Sequence, residues 1–305
     1  MSIESRLEQT RPEYPSWRRR ILAFLFALIT VGAGHAVLGH TSRGLKWFTS
    51  LVVAMALLIL AVVFGWPPLA WFFVAVVVVI RVAAILDTLR LRNPQSGFGG
   101  YTAILLALLL IGLGELAASA TTAFVRAERY QTDSMYPTIE AGDHLIMSRV
   151  YRSVGRGDLI SFDYPADPTK RYLKRIIGVG GDTVQIFNGQ VILNGKPIER
   201  VSSPQACVVY QVQCTIWRET IDGKTYQIAM LANDEFSGQN ISRDFGPVVI
   251  PANMVFVLGD NRDNSADSRH WGNVPMDLIR AKTRFVYWSS NQSGIRWDRL
   301  NQILD

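Results

Sequence analysis

Four apolar stretches crowd the first 125 residues of this 305-residue chain, at about 21–38, 47–66, 69–86 and 103–124. A helix needs roughly 20 mostly apolar residues to cross a bilayer, so the second, third and fourth stretches are long enough to span. Arg81 interrupts the third and is expected to snorkel or to face a neighbouring helix. After Phe124 such runs stop, so the sequence divides into a helical membrane part, 1–125, and an outer part, 126–305.

Lys and Arg beside membrane segments accumulate on the cytoplasmic side. Arg18, Arg19 and Arg20 precede the first stretch, Arg43 and Lys46 follow it, and Arg90 and Arg92 separate the third from the fourth. Only Pro67 and Pro68 lie between the second and third. The second stretch is therefore expected to run outward, the third to return and the fourth to run outward again. Everything after Phe124 is then delivered to the outer side. The first stretch has basic residues at both ends, and Gly32, Gly34 and His35 break its centre. A re-entrant or interfacial segment fits it better than a span. A cleaved signal peptide is the rival reading, because a basic start and a short apolar core are also its marks.

The outer part alternates apolar and polar residues with period two at 158–164, 172–178, 183–187, 190–193 and 255–258, the pattern of half-buried strands. Asn188-Gly189 and Asn194-Gly195 are hairpin-turn dipeptides. The expected fold class is thus helical membrane segments followed by a mostly antiparallel β domain. An insertion at about 204–218 carries both cysteines of the chain, Cys207 and Cys214. In an oxidising outer compartment a disulfide between them is favoured over two buried thiols. A net charge of +6 without a basic run argues against nucleic acid as a partner.

Three segments hold candidates for chemistry. Thr132-Asp133-Ser134-Met135-Tyr136-Pro137 places a serine before a proline turn, about ten residues after the last apolar stretch. A serine nucleophile requires a base. His35 and His40 belong to the membrane part, and neither His144 nor His270 sits in a Ser/His/Asp signature. Lys174 lies in an apolar strand beside Arg175. An ordinary lysine, with a pKa of about 10.4, is under roughly 0.1% neutral at pH 7. Lowering it to about 8 takes roughly 3.3 kcal/mol, which an apolar pocket and the positive charge of Arg175 can supply. The third segment, 259–269, alternates Asp and Asn like a calcium loop. It lacks the Gly and terminal Glu of that motif, and Arg262 and Arg269 compete with a cation. A hydrogen-bond and ion-pair network is expected there, and neither a metal nor another cofactor.

Taken in order after membrane anchors, SMYPT at 134–138, GD at 142–143, RGDLISFDYP at 156–165, YLKRIIGVGGD at 172–182 and GDNRDNSADSR at 259–269 resemble the type I signal peptidases. These are membrane-bound Ser/Lys proteases that remove signal peptides from exported proteins. The resemblance covers nearly the whole outer part except the cysteine-bearing insertion. It implies Ser134 as nucleophile, Lys174 as general base, and Thr132 as an oxyanion-hole hydroxyl acting with the Ser134 backbone N–H. Ser265 matches the residue that hydrogen-bonds the lysine. Asp260, Arg269 and Arg175 match ion-pair positions, and Asp267 supports the same loop. Met135, Ile139, Leu145 and Leu173 match apolar positions lining the pockets for small residues, with cleavage after Ala-x-Ala.

The expected partners are signal peptides of exported preproteins and the lipid bilayer. The expected location is the bacterial inner membrane, multi-pass, with the catalytic domain on the periplasmic side. Trp288 and Trp297 are candidates for the membrane interface or for core packing. Four apolar stretches depart from the two helices of the best-known Gram-negative members. A specialised relative with a narrow substrate set, such as conjugative pilin, is the alternative enzyme. A non-catalytic membrane-anchored binding module would have lost Ser134, Lys174 or Ser265, and all three are present.

Overall fold

The computed structural model describes residues 16–91, 100–151, 153–209, 212–232 and 243–304. Arg92 and residues 210–211 of the cysteine-bearing insertion, used above, lie outside them. The chain divides into two compact units, Met1–Ala61 with Pro68–Thr122 and Val62–Pro67 with Ala123–Asp305.

The first unit is helical: α1 Ser16–Ile29, α2 Ala33–Val37, α3 Thr41–Val63, α4 Pro67–Arg90 and α5 Gly100–Phe124. Among the described residues α3 and α4 are long and apolar enough to cross a membrane. The fourth apolar stretch forms the 25-residue α5. The first stretch is not one helix, because α1 ends at Ile29 and α2 begins at Ala33. Gly32 enables the break. Its φ is +91°, and a Cβ there would lie 2.3 Å from the carbonyl oxygen of Gly44. A helix that stops leaves carbonyls without partners. Arg81 of α4 supplies donors, its Nη2 bonding the carbonyls of Leu28 at 3.3 Å and Ile29 at 3.0 Å. The arginine that interrupts the third apolar stretch therefore serves the broken first one.

Asp87, also on α4, organises the other polar cluster of this unit. Arg43 donates to it through Nε at 2.7 Å and Nη2 at 2.6 Å, Trp47 Nε1 donates at 2.9 Å, and buried His35 Nε2 lies at 2.9 Å. Thr88 Oγ1 lies 3.1 Å from the other ring nitrogen of His35. These bonds join α2, α3 and α4.

The second unit is built of strands β1 Val125–Arg129, β2 Asp143–Ser148, β3 Leu159–Tyr164, β4 Asp167–Val179, β5 Thr183–Phe187, β6 Gln190–Leu193, β7 Lys196–Pro197 and β8 Glu199–Val209. It continues with β9 Val212–Ile221, β10 Lys224–Leu231, β11 Phe245–Val249, β12 Met254–Leu258, β13 Val274–Pro275, β14 Ile279–Asn291 and β15 Gly294–Ile295, with the short helix α6 Ser268–Trp271 before β13. The strands form three sheets. The largest runs β1-β2-β14-β3-β4-β12-β13 with β15 on β14, the second β10-β9-β8, and the third β11-β5-β6-β7. All pairings between these strands are antiparallel, so hairpins and meanders generate the topology.

Local sequence sets the hairpins. Asn188 and Gly189 (φ 48° and 71°) connect β5 to β6, and Asn194 and Gly195 (φ 53° and 78°) connect β6 to β7. Consecutive left-handed residues of this kind match the twist of the flanking strands. Alternation along β5 buries Val184 and Ile186, which join Ile177, Val191, Tyr226, Ile228 and Phe256 in one core. The cysteine-bearing insertion is the β8–β9 hairpin, in which Cys207 and Cys214 face each other and are joined as a disulfide with Cα atoms 5.0 Å apart. Tyr136, two residues after Ser134, packs on this hairpin with Val209, Ile216 and Leu231. Trp297 is 69% exposed, so core packing does not account for it, and its ring stands edge-on to Trp288 at 6.5 Å.

Candidate active site

Lys174 is central in β4, opposite Ile160 of β3. Successive strand residues point to opposite faces, so Lys174 and Arg175 have different surroundings. Arg175 is fully buried. Its Nε and Nη2 donate to the two carboxylate oxygens of Asp260 at 2.8 and 2.7 Å, Nη1 donates to the Gly157 carbonyl, and the guanidinium covers the Tyr226 ring at 4.0 Å. Lys174 is 2% exposed and contacts no carboxylate directly among the described residues. Its hydrogen bond goes to Ser134 Oγ at 2.7 Å, and its Nζ stands 5.8 Å from the centre of the Tyr172 ring.

Burial pushes the Lys174 amine down to about 8. The more distant charges of Asp267 and Asp260 act against this shift, and Arg269 acts with it. The expectation that Arg175 supplies the neighbouring positive charge is corrected here: its charge is matched by Asp260, and Arg269 holds the effective position.

Ser134 follows an extended segment that leaves β1. The backbone of this segment is pinned at Tyr130, whose N–H donates to the Asp143 carbonyl at 2.7 Å and whose carbonyl accepts from Gly142 N–H at 2.8 Å. Alternate residues 130, 132 and 134 bring three hydroxyls together. Ser134 Oγ lies 2.8 Å from Tyr130 Oη and 3.4 Å from Thr132 Oγ1. From the other side, Asn261 holds the nucleophile's backbone. Its N–H donates to the Ser134 carbonyl at 3.2 Å, and its Nδ2 donates to the Asp133 carbonyl at 2.9 Å. Gly259 allows this approach, because a Cβ there would meet the Ser134 carbonyl oxygen at 2.5 Å and Ser265 Oγ at 2.1 Å.

The 259–269 segment forms a network of ion pairs and backbone bonds. Asp267 accepts from Arg269 Nε and Nη2 at 2.9 Å each and from Gly259 N–H at 3.0 Å. Burial alone would raise its carboxyl, but the charge and hydrogen bonds of Arg269 hold it below the usual range. Arg262 pairs with buried Glu219, which also accepts from the Tyr226 hydroxyl at 3.0 Å. Asp263 accepts from Arg243 and from Leu231 N–H. Ser265 is fully buried beside Gly259, and its Oγ donates to the Ala266 carbonyl at 3.4 Å. The bond expected from Ser265 to Lys174 is not among the contacts of the described residues; the Ser265 side chain is turned to its own backbone.

A groove of about 740 Å³ opens over the dyad between residues 128–134 and 170–174. Leu145 and Leu173 line it, together with Met147. Met135 and Ile139 are fully buried beneath, in a core with Leu145, Leu159, Leu173 and Val286. His144 lies edge-on to Tyr287, and His270 is in α6. Sequence reasoning missed Tyr130 and Asn261. The period-two spacing of Tyr130, Thr132 and Ser134 is the signal that points to the first. The second lies in the 259–269 segment where a hydrogen-bond network is expected, but nothing local names the Asp133 and Ser134 carbonyls as its partners.

The arrangement can remove a proton from a serine hydroxyl with a desolvated amine, next to a groove lined by Leu145, Met147 and Leu173. The family described as "Signal peptidase, peptidase S26" matches residues 101–288, more than half of the chain. The chain is 32% identical to signal peptidase I of Leptolyngbya laminosa over 198 residues, covering 60% of this chain and 79% of that one. It is 31% identical to signal peptidase I of Aquifex aeolicus over 202 residues, covering 56% and 78%. With signal peptidase I of Rickettsia prowazekii identity is 34% over 165 residues, covering 51% and 60%. Among solved structures, a signal peptidase I from Enterococcus faecalis V583 aligns with a TM-score of 0.26 and 23% identity, over 43% of this chain and 97% of that one. By the extent of the family match, this chain is an enzyme and belongs to the signal peptidases, peptidase family S26.

Proposed function

We propose that this protein removes N-terminal signal peptides from exported preproteins, cutting after small residues of the Ala-x-Ala type, with Ser134 as nucleophile and Lys174 as general base. The observation that carries the reading is the 2.7 Å contact between Ser134 Oγ and a buried amine with no carboxylate bonded to it among the described residues. An amine with a pKa of about 8 is about 10% neutral at pH 7, roughly 200-fold more than an ordinary lysine of pKa about 10.4.

In acylation, Lys174 Nζ takes the Ser134 proton as Oγ bonds to the scissile carbonyl carbon. It then gives that proton to the peptide nitrogen as the C–N bond breaks. In deacylation a water oxygen bonds to the acyl carbon and passes a proton to Nζ. The C–Oγ bond then breaks and the proton returns to Oγ. Thr132, whose hydroxyl sits 3.4 Å from Oγ at the rim of the groove, is assigned to the oxyanion. Leu145 and Leu173 offer an apolar floor suited to short apolar side chains. Met135 and Ile139 support that floor from below.

The helices α3, α4 and α5 are assigned as spans, with the β unit on the periplasmic side of the inner membrane. Exposed Trp297 is assigned to the lipid interface. Membrane attachment raises the local concentration of substrates whose signal peptides lie in the same bilayer. In intact cells, a cysteine introduced at position 292 should react with an impermeant thiol reagent and one at position 95 should not. Labelling at 95 would reverse the orientation.

Purified protein in detergent should cleave a preprotein bearing an Ala-x-Ala site, and Ser134→Ala and Lys174→Met should each reduce cleavage to background. Full activity in either variant would overturn the assignment of the dyad. Cleavage across a panel of exported preproteins, rather than of a single pilin-like substrate, is the expected breadth.

A further inference from the structure

The hydroxyl of Tyr130 is the second polar group on the nucleophilic oxygen, 2.8 Å from Ser134 Oγ. Its position is fixed from two directions. The backbone of Tyr130 is bonded to Gly142 and Asp143, and its ring packs on the core that includes Met135, Ile139 and Leu145. A serine oxygen carries one proton and two lone pairs. When Lys174 is neutral, the proton points along the 2.7 Å line to Nζ. One lone pair must face the carbonyl carbon under attack. The other is directed to Tyr130.

Building on the assignment of Ser134 and Lys174, we propose that Tyr130 is a neutral hydrogen-bond donor to the nucleophilic oxygen, aiming its attack and stabilising the charge it carries as the C–Oγ bond forms and breaks. In acylation, Oγ gains negative character as its proton moves to Nζ and before the new bond to carbon is complete. In deacylation, Oγ is the leaving group and gains the same character as its bond to the acyl carbon stretches, before the proton returns from Nζ. A single donor serves both steps because the charge appears on the same atom. In the acyl-enzyme between them, Oγ is an ester oxygen and a poorer acceptor, so the bond is strongest at the two moments when the barrier is crossed.

A phenol can donate only while it keeps its proton. Burial raises Tyr130 to about 12, against the smaller opposing effect of its bonds to Ser134 and Thr132. Tyr130 therefore stays protonated throughout the range in which Lys174 changes charge.

The test is Tyr130→Phe in the full-length enzyme in detergent, which keeps the ring and removes the hydroxyl. The expected result is a fall in kcat of about tenfold, with KM within about twofold and thermal unfolding unchanged. Unchanged or increased kcat would overturn the proposal. So would an increase in KM alone, which would make Tyr130 a substrate contact. A second variant separates donation from packing: a fluorinated tyrosine at position 130, with a more acidic phenol, should be active at neutral pH. It should then lose activity along a new falling limb at alkaline pH, as the donor becomes a phenolate. Absence of that limb, with the substitution in place, would also overturn the proposal. Failure of the dyad itself would appear separately, as activity retained in Ser134→Ala.

Discussion

The helical unit and the β unit both surround ionisable groups with partners, and Lys174 of the β unit departs from that treatment. In the helical unit, Asp87 meets donors from Arg43 and Trp47 and a ring nitrogen of His35, and the carbonyls of the broken helix meet Arg81. In the β unit, Lys174 is given a hydroxyl where a carboxylate would have locked its proton in place. Arg175, its neighbour in sequence, shows that the fold can supply such a carboxylate when structure requires one. A buried charge with a full set of partners ties elements together. A buried amine held only by a neutral oxygen keeps a proton that can leave.

The largest effect separating the two treatments is expected at Asp260. Asp260→Ala strands the fully buried guanidinium of Arg175, and breaking such a pair from one side typically costs about 3–5 kcal/mol. Denaturant unfolding of the detergent-solubilised protein would measure it, and a loss under about 1 kcal/mol would show the pair to be dispensable.

Thr132→Val comes next. It keeps the shape and removes the hydroxyl, so kcat should fall by about 10²–10³ with folding intact. A kcat equal to that of the parent enzyme would remove Thr132 from the oxyanion site.

Lys174→Met should inactivate the enzyme and, unlike Asp260→Ala, should stabilise it. The folded-state pKa of Lys174 lies below its unfolded value, so the folded protein binds this proton less readily. The resulting penalty is complete below pH 8 and fades as pH rises from about 8 to 10.5. The variant should therefore gain roughly 1–3 kcal/mol at pH 7 and less at pH 10. A variant less stable than the parent at pH 7 would mean that Lys174 contributes to folding through pairing, as Arg175 does.

The smallest effect is expected in the helical unit. Asp87→Asn keeps one acceptor oxygen but turns donors toward Arg43, which is largely exposed and can be re-solvated. A loss of about 1–2 kcal/mol is expected, read as a melting temperature lower by a few degrees, with kcat unchanged. Loss of cleavage at full stability would instead link this cluster to catalysis.

Much of the β unit is legible in the sequence because its signals are local. Thr183–Phe187 and Gln190–Leu193 occupy the residues that alternation assigns to them, and both Asn-Gly dipeptides form turns. The break in the first apolar stretch is legible for the same reason, since Gly32 takes a conformation that other residues resist. What brings Arg81 to the end of α1 is packing across more than fifty residues of chain, and no local pattern encodes it.

The site divides in the same way. Resemblance brought Ser134 and Lys174 together, and they are in contact. Strand alternation alone would have separated Lys174 from Arg175, whose charge belongs to Asp260. Tyr130 was hidden because an aromatic residue beside an apolar core looks like packing. Asn261 was hidden because its bonds are to the backbone of a segment more than 120 residues away.

The central claim concerns one proton, and it can be observed on Lys174 itself. In protein carrying lysine labelled with carbon-13 at Cε, the Lys174 resonance, assigned through Lys174→Met, should titrate with a midpoint near pH 8, well below the ordinary lysine value of about 10.4. The acid limb of kcat/KM should have the same midpoint. A Lys174 resonance that titrates at 10 or above would contradict the account, because the amine would then be charged at the moment Ser134 must give up its proton.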